Sequence, residues 1–288
     1  MKILVTGGDG QLGSSLKKLA GDYPEYVFKF IDLKDLDLTD FPKVYSFIEA
    51  FRPEILVNCA AYTAVDKAES DPDAAMSVNA DVPGDLAKIC RETGTRLIHL
   101  STDYVFDGKS YRPYLETDPV NPDSVYARTK LEGENRILEQ SVSGIIIRTA
   151  WLYSEYGQNF VKTIRKKGEE LGKLRVVYDQ TGSPTYAGDL ARAILEILPE
   201  VINFQTMELF HYTNEGVISW YDFAKAILEL SGISCTVEPV GTRAYPTPAT
   251  RPPYSVLDKT KIKERFDISI PYWKDSLKEC IANLNASR

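Results

Sequence analysis

Short apolar runs alternate along this chain with stretches whose apolar residues recur every three or four positions. The runs Lys2–Thr6 (KILVT), 27–32 (VFKFID), Ile55–Asn58 (ILVN), 96–100 (RLIHL) and 144–148 (GIIIR) have the length and apolar character of buried parallel strands. Leu12, Leu16 and Leu19 share one face of a predicted helix, and crossover helices are expected around 42–51 and 82–92. Strand–helix alternation of this kind predicts an α/β fold: a doubly wound, Rossmann-type parallel sheet with helices on both faces. Past Trp151 the pattern gives a helix at 159–171, a strand at 175–178, a helix at 190–198, a strand at 209–213 and a helix at 220–230. The predicted organisation is a sheet domain over 1–150, with returns near 187–198 and 209–231. A smaller, discontinuous α/β unit takes up most of 151–288. The segment 245–253 carries Pro246, Pro248, Pro252 and Pro253 and reads as a rigid loop.

Composition narrows the class. The 288 residues are 43% hydrophobic and 26% charged, ordinary for a globular protein in water. The formal charge of −7 excludes a general nucleic-acid binder, which needs a basic surface. Cys59, Cys90, Cys235 and Cys280 are widely spaced, and there are two histidines, so no metal-ligand spacing emerges and no metal is expected. No apolar run approaches the ~20 residues of a membrane span. The N-terminal apolar run meets glycines and an aspartate at once, which predicts a strand and turn and not a signal peptide. A cytoplasmic protein is the expectation.

The candidate chemistry gathers at the strand ends, where ligands sit in open α/β sheets. After the first strand comes Gly7-Gly8-Asp9-Gly10-Gln11-Leu12-Gly13, then the helix with Leu12 and Leu16. Strand, glycine loop and helix form a dinucleotide fingerprint: the loop lets backbone approach a pyrophosphate, and the helix N-terminus offers free N–H groups. Two frames fit, Gly8-x-Gly10-x-x-Gly13 and Gly7-x-x-Gly10-x-x-Gly13. Asp32 lies 32 − 13 = 19 residues past Gly13, near the ~20 expected for a carboxylate on the adenosine ribose. That favours NAD, while nearby Lys34 leaves NADP open. Ala61, Tyr62 and Thr63 follow the third strand, Thr102 the fourth, and Thr149-Ala150-Trp151 the fifth. Tyr126 and Lys130 stand four apart on a predicted helix, one turn from each other. An ammonium beside a phenol favours the phenolate, so this pair could trade a proton with a substrate oxygen near neutral pH. The basic positions Lys162, Arg165, Lys166 and Lys167 read as a solvated helix face, or as a source of long-range attraction for a phosphorylated ligand. His211 reads as a packed residue.

Several longer stretches carry a resemblance: VTGGDGQLG (5–13), NCAAYTAVDKAE (58–69), LSTDYVFDG (100–108), YARTKLEGE (126–134), IRTAWLY (147–153), NFVKTI (159–164), DQTGSPTY (179–186) and ATRPPYSVLD (249–258). Together they span nearly the whole chain, and it resembles the extended short-chain dehydrogenase/reductases. The resemblance implies an NAD(P)-binding domain and NADPH- or NADH-dependent reduction of the C4 keto group of dTDP-4-dehydro-L-rhamnose to dTDP-L-rhamnose. It implies pyrophosphate contacts from Gly7, Gly10, Gln11, Leu12 and Gly13. Adenosine contacts would come from Asp32, Asp37 and Leu38, and a cofactor-lining segment from Ala61, Tyr62 and Thr63. Thr102, Tyr126 and Lys130 match the catalytic set, the last two also touching cofactor. Thr102, Asp103 and Trp151 match sugar-holding positions, with Val65, Asp66, Tyr104, Asn159 and Arg251 as further substrate candidates. The implied partner is a dTDP-sugar, with no nucleic acid or membrane, for a monomer or homodimer. Rival readings are a sugar-nucleotide epimerase of the same superfamily and a non-catalytic dinucleotide-binding regulatory subunit.

Overall fold

The computed structural model describes residues 1–286. Six parallel strands form the main sheet: β1 Lys2–Thr6, β2 Val27–Ile31, β3 Ile55–Asn58, β4 Arg96–Thr102, β5 Gly144–Thr149 and β6 Met207–His211. Their order is β6-β5-β4-β3-β1-β2. The chain winds outward from β1 to one edge and then to the other, the doubly wound arrangement with its switch point beside β1.

Both faces of the sheet are covered, which is why the middles of the central strands are mostly apolar on both sides. Ile3, Val5, Ile55, Val57, Ile145 and Ile147 face one layer, with helix α1 (Gln11–Leu19) and the later helix Ala187–Val201 packed on it. Leu4, Leu56, Leu97 and Ile146 face the other, under α2 (Phe41–Phe51) and α3 (Val82–Thr93). Helix α4 (Val125–Glu139) starts at a clean cap: the Ser124 side chain accepts the Ala127 N–H, satisfying one of the free donors of the first turn.

A second core lies beyond β5. Helix α5 (Phe160–Leu171), the parallel strands Lys173–Val177 and Thr236–Val240, α7 (Trp220–Ser231) and α9 (Trp273–Ala286) enclose Val161, Ile164, Leu174, Phe223, Ile227 and Leu277. The intervening helices are α6 (Ala187–Val201) and α8 (Thr260–Phe266). The sequence pattern assigns 209–231 to the sheet domain. In the structure β6 joins the sheet, but α7 packs in the second core. Conversely Ile262, Phe266 and Ile270 return to the first core, a crossing that the pattern leaves unmarked. The last strand of the sheet sits two residues before its predicted place, because its register pairs Met207 with Gly144 and His211 with Arg148. Among the described residues, no helix is long and apolar enough to cross a membrane.

Candidate active site

The carboxyl ends of β1 to β5 open onto a cleft of about 930 Å³ that runs from Asp32, Asp37 and Leu38 at one end to Trp151 at the other. Gly7 forms its floor with a left-handed φ of +65°. A Cβ on Gly7 would lie 2.7 Å from the Ala60 nitrogen, and one on Gly13 would lie 2.7 Å from Gly8 Cα. Gly10 donates its N–H to Gly7 O at 3.1 Å and stands at the N-cap of α1. The loop thus uses the frame Gly7-x-x-Gly10-x-x-Gly13. Gly7, Gly10, Gln11 and Leu12 line the cleft; Gly13 lies behind, where it lets α1 pack on the loop.

Asp32 follows β2 and is held in place by two backbone donors, Asp9 N at 2.9 Å and Leu33 N at 2.8 Å. Lys34 reaches back to Asp9 at 2.5 Å. Ala61, Tyr62, Thr63 and Val65 form the next stretch of wall. Tyr62 is fixed by a residue that motif reading passes over. Asn79, in a π-helical turn (Ser77–Asp81), accepts Tyr62 N at 2.9 Å and donates to Tyr62 O and to Thr129 Oγ1, each at 3.1 Å. It is fully buried and ties the cleft wall to α4.

Thr102, Asp103, Tyr104, Tyr126, Lys130 and Trp151 converge at the far end. The Thr102 hydroxyl donates to Asp103 Oδ1 at 3.0 Å and accepts Tyr104 N at 3.3 Å. Asp103 Oδ2 is buried without a partner. Burial lifts the Asp103 carboxyl to about 7, opposed by the nearby Ser255 side chain and by the Thr102 hydrogen bond. Burial likewise pushes the Tyr126 phenol up to about 12, and the Thr102 side chain draws it back.

Lys130 corrects the sequence-based expectation. Its amine bonds to Leu100 O at 2.7 Å and faces His99 Nε2 at 3.3 Å, with no hydrogen bond to Tyr126. Burial lowers it to about 8, with Glu134 opposing. A buried amine turned onto the strand, which gives up its proton more readily than a free lysine, is a weaker pull on the phenol than the ammonium that i, i+4 spacing suggests. Glu134, one turn on, forms a two-pronged buried ion pair with Arg148 of β5, at 2.9 and 2.6 Å, which clamps α4 to the sheet.

Trp151 has a positive φ of 48° and stacks on Trp220 of α7 at 3.6 Å between ring centroids, 12° apart in plane. Trp220 therefore lines the cleft too. The sequence offers no signal for that, because α7 reaches the cleft only through the packing of the second core.

Three expected contacts lie outside the cleft wall. Asp66 and Arg251 meet each other, Nη1–Oδ1 at 2.5 Å and Nη2–Oδ2 at 2.7 Å. Together with Ala249 N on Asp66 Oδ1 at 3.1 Å, the pair fastens the proline-rich loop to the helix Val65–Ala68, and the guanidinium holds the Asp66 carboxyl below its usual range. Asn159 caps α5 by accepting Lys162 N, and its amide nitrogen binds Gln11 Oε1 at 3.0 Å and Ser154 O at 2.8 Å. Its polar atoms are engaged in tying the second core to α1. The basic face of α5 is also not part of the cleft: Lys162 bonds to Glu155 O, Arg165 is buried against Asn285, and Lys166 pairs with Glu170.

A glycine loop at the switch point of a parallel sheet, with a threonine, tyrosine and lysine at the strand ends beside it, defines an oxidoreductase of the short-chain dehydrogenase/reductase class. Residues 1–286 match the family described as RmlD substrate binding domain. A dTDP-4-dehydrorhamnose reductase of Aggregatibacter actinomycetemcomitans is 41% identical over 285 residues, which cover 96% of this chain and 97% of that protein. The crystal structure of a dTDP-4-dehydrorhamnose reductase from Clostridium acetobutylicum superposes with a TM-score of 0.93 at 44% identity, covering 99% of this chain and 100% of the other. The Bacillus anthracis dTDP-4-dehydrorhamnose reductase, solved in complex with NADP, gives 0.92 at 35% identity over 98% and 99%. The chain belongs to the dTDP-4-dehydrorhamnose reductase family.

Proposed function

We propose that this chain reduces the C4 keto group of dTDP-4-dehydro-L-rhamnose to give dTDP-L-rhamnose, with NADPH or NADH as reductant and Tyr126 as proton donor. The observation that carries this reading is the convergence of Thr102, Tyr126 and Lys130 on one end of a dinucleotide-sized cleft in a chain of this family. The NADP complex of the Bacillus anthracis relative supports the cofactor class. The cleft fits it: Gly7, Gly10, Gln11 and Leu12 would take the pyrophosphate and Asp32, Asp37 and Leu38 the adenosine. Ala61, Tyr62 and Thr63 would flank the rest, with Gly13 keeping α1 close behind. Asp32 opposes a 2′-phosphate and Lys34 attracts one, so both cofactors are accommodated.

When bound, the nicotinamide supplies the hydride. The chain's own residues manage the proton and the charge. Tyr126 is protonated at neutral pH and gives its proton to the sugar oxygen as that oxygen becomes negative. Thr102 places a hydroxyl at the same oxygen, an oxyanion-type contact. Lys130 offsets the charge left on Tyr126. Asp103, Tyr104, Val65 and Trp151 hold the sugar, with Trp220 backing Trp151 as a flat apolar wall.

The test is NAD(P)H consumption with dTDP-4-dehydro-6-deoxy-L-mannose generated in situ by the enzymes that precede this step. Tyr126→Phe is expected to lower kcat by ~10²–10⁴, the usual share of a lost general acid. A variant with wild-type turnover removes Tyr126 from the role. Tightly held NAD with no net consumption would mark an epimerase, and cofactor binding without any turnover a regulatory subunit.

A further inference from the structure

We propose that His99 is a positioning residue for this reaction: at the end of a buried hydrogen-bond chain from Thr6 through Asn58, its Nε2–H faces the Lys130 amine and governs whether that amine carries a proton. The proposal rests on the reading of Tyr126 and Lys130 given above.

The direction of the chain follows from its fixed end. The Ala60 backbone N–H can only donate, and it lies 3.2 Å from Asn58 Oδ1; the Thr6 hydroxyl donates to the same oxygen at 2.7 Å. The Asn58 amide nitrogen is thereby turned towards His99 Nδ1, 3.1 Å away. An amide NH₂ is a donor, so His99 Nδ1 accepts and the neutral ring carries its hydrogen on Nε2. That nitrogen is 3.3 Å from Lys130 Nζ.

An ammonium has three donors and no acceptor, whereas a neutral amine has a lone pair. As an amine, Lys130 donates to Leu100 O at 2.7 Å and accepts from His99, so each group is satisfied. As an ammonium it meets an N–H head-on. Thr6, Asn58, His99 and Lys130 are all at most 2% exposed, so water cannot relieve that mismatch. Burial acts in the same sense on both titrating groups, holding the ring neutral and drawing the lysine down. The other ionisable groups around the amine come from two sides. On α4 they are Tyr126 one turn before and Glu134 one turn after, the latter neutralised by Arg148 of β5; beyond β4 there is Asp103. Glu134 is the one that favours the ammonium. Lys130 is therefore a group whose charge is adjustable in the working pH range, and His99 sets the point of adjustment.

The chain's composition makes the test direct, since it holds two histidines, His99 and His211. ¹⁵N-histidine NMR of the wild-type protein, assigned with His211→Phe, reads the tautomer without any substrate. The expected result is a neutral His99 ring protonated on Nε2 from about pH 6 to about pH 9. A ring protonated on Nδ1, or an imidazolium, overturns the proposal. The alkaline limb of kcat, where the Lys130 ammonium is lost, supplies the second readout. His99→Leu is expected to move it up by roughly one pH unit, the scale of one buried hydrogen bond to the neutral amine, and His99→Gln, which restores an N–H, to move it back. An unmoved limb in a folded, cofactor-binding His99→Leu protein also overturns it. Failure of the wild-type enzyme to reduce the sugar nucleotide would count against the proposed function, while the tautomer still decides the hydrogen-bond chain.

Discussion

Gly133→Ala is the sharpest probe of how α4 aims its side chains. Gly133 is buried in α4 against the π-helical turn Ser77–Asp81. A Cβ there would lie 3.2 Å from the Asn79 carbonyl carbon and closer still to its oxygen. Backbone atoms cannot rotate away as a side chain would, so helix and turn must separate by about 1 Å to restore ordinary contact. Alanine gains about 1 kcal/mol over glycine in helix propensity, and overpacking a tight contact costs about 1–3 kcal/mol. The net loss is up to about 2 kcal/mol, a fall in Tm of a few degrees for a chain of this size. The functional loss is larger, because Lys130 is one turn away and Tyr126 two, and Asn79 also fixes Tyr62 and Thr129. Misplacement of reacting groups by 1 Å can cost ~10²-fold in rate, so kcat is expected to fall 10- to 100-fold at temperatures well below Tm. The assay pairs a thermal melt with initial rates of NADPH oxidation. Wild-type kcat in the variant would show that α4 does not set the position of Tyr126 and Lys130 through this contact, and the reasoning would fail.

Two further outcomes are expected. Glu134→Gln leaves the Arg148 guanidinium buried with its counter-charge gone, and losses of about 3–5 kcal/mol are usual for half a buried pair; urea unfolding checks it, with Glu134→Leu/Arg148→Met expected to recover much of the stability. His211 is buried beside Arg148 and held neutral down to about 3, by desolvation first and by that arginine second. Between its ordinary value of 6.5 and about 3, the unfolded chain binds a proton that the folded chain does not, so stability falls as pH falls through that window. His211→Phe should therefore lose less stability than wild type between about pH 7.5 and about pH 5, read by urea midpoints; equal losses would contradict a neutral buried ring.

Much of this architecture is written locally. The five N-terminal strands announce themselves because they are short runs that are mostly apolar, as a sheet covered on both faces requires, and the glycine loop announces itself because strand, loop and helix are contiguous. Tyr126 and Lys130 share a helix face by spacing alone. What spacing cannot convey is which way a buried side chain turns: Lys130 bonds to β4, not to its helical neighbour. By type Asp66 suits a sugar hydroxyl and Arg251 a phosphate, yet 185 residues apart in sequence they find each other. Asn159 suits a ligand as well, but its place at a helix start commits its oxygen to capping. Trp220, Asn79 and His99 are invisible to motif reading for a common reason. Each acts through a contact made by folding, across a sheet, a π-helical turn or a second core. The strand Thr236–Val240 and helices α8 and α9 are short or weakly patterned, and take their form from the cores they close.

The order of strands in the main sheet bears on how the chain must be assembled. Its sixth strand comes from residues 207–211 and pairs with β5; α6 and the segment from Ile262 to Ile270 then seal the same core. A ribosome that has released only the first 150 residues has therefore produced a sheet with the edge of β5 bare and one apolar face covered by α1 alone, a surface prone to wrong pairing. The half that carries the main sheet cannot be finished before most of the half that holds the second core has been made. The two halves are thus obliged to fold as one transaction, and cutting the gene at the apparent domain boundary would yield an adhesive fragment in place of a smaller protein.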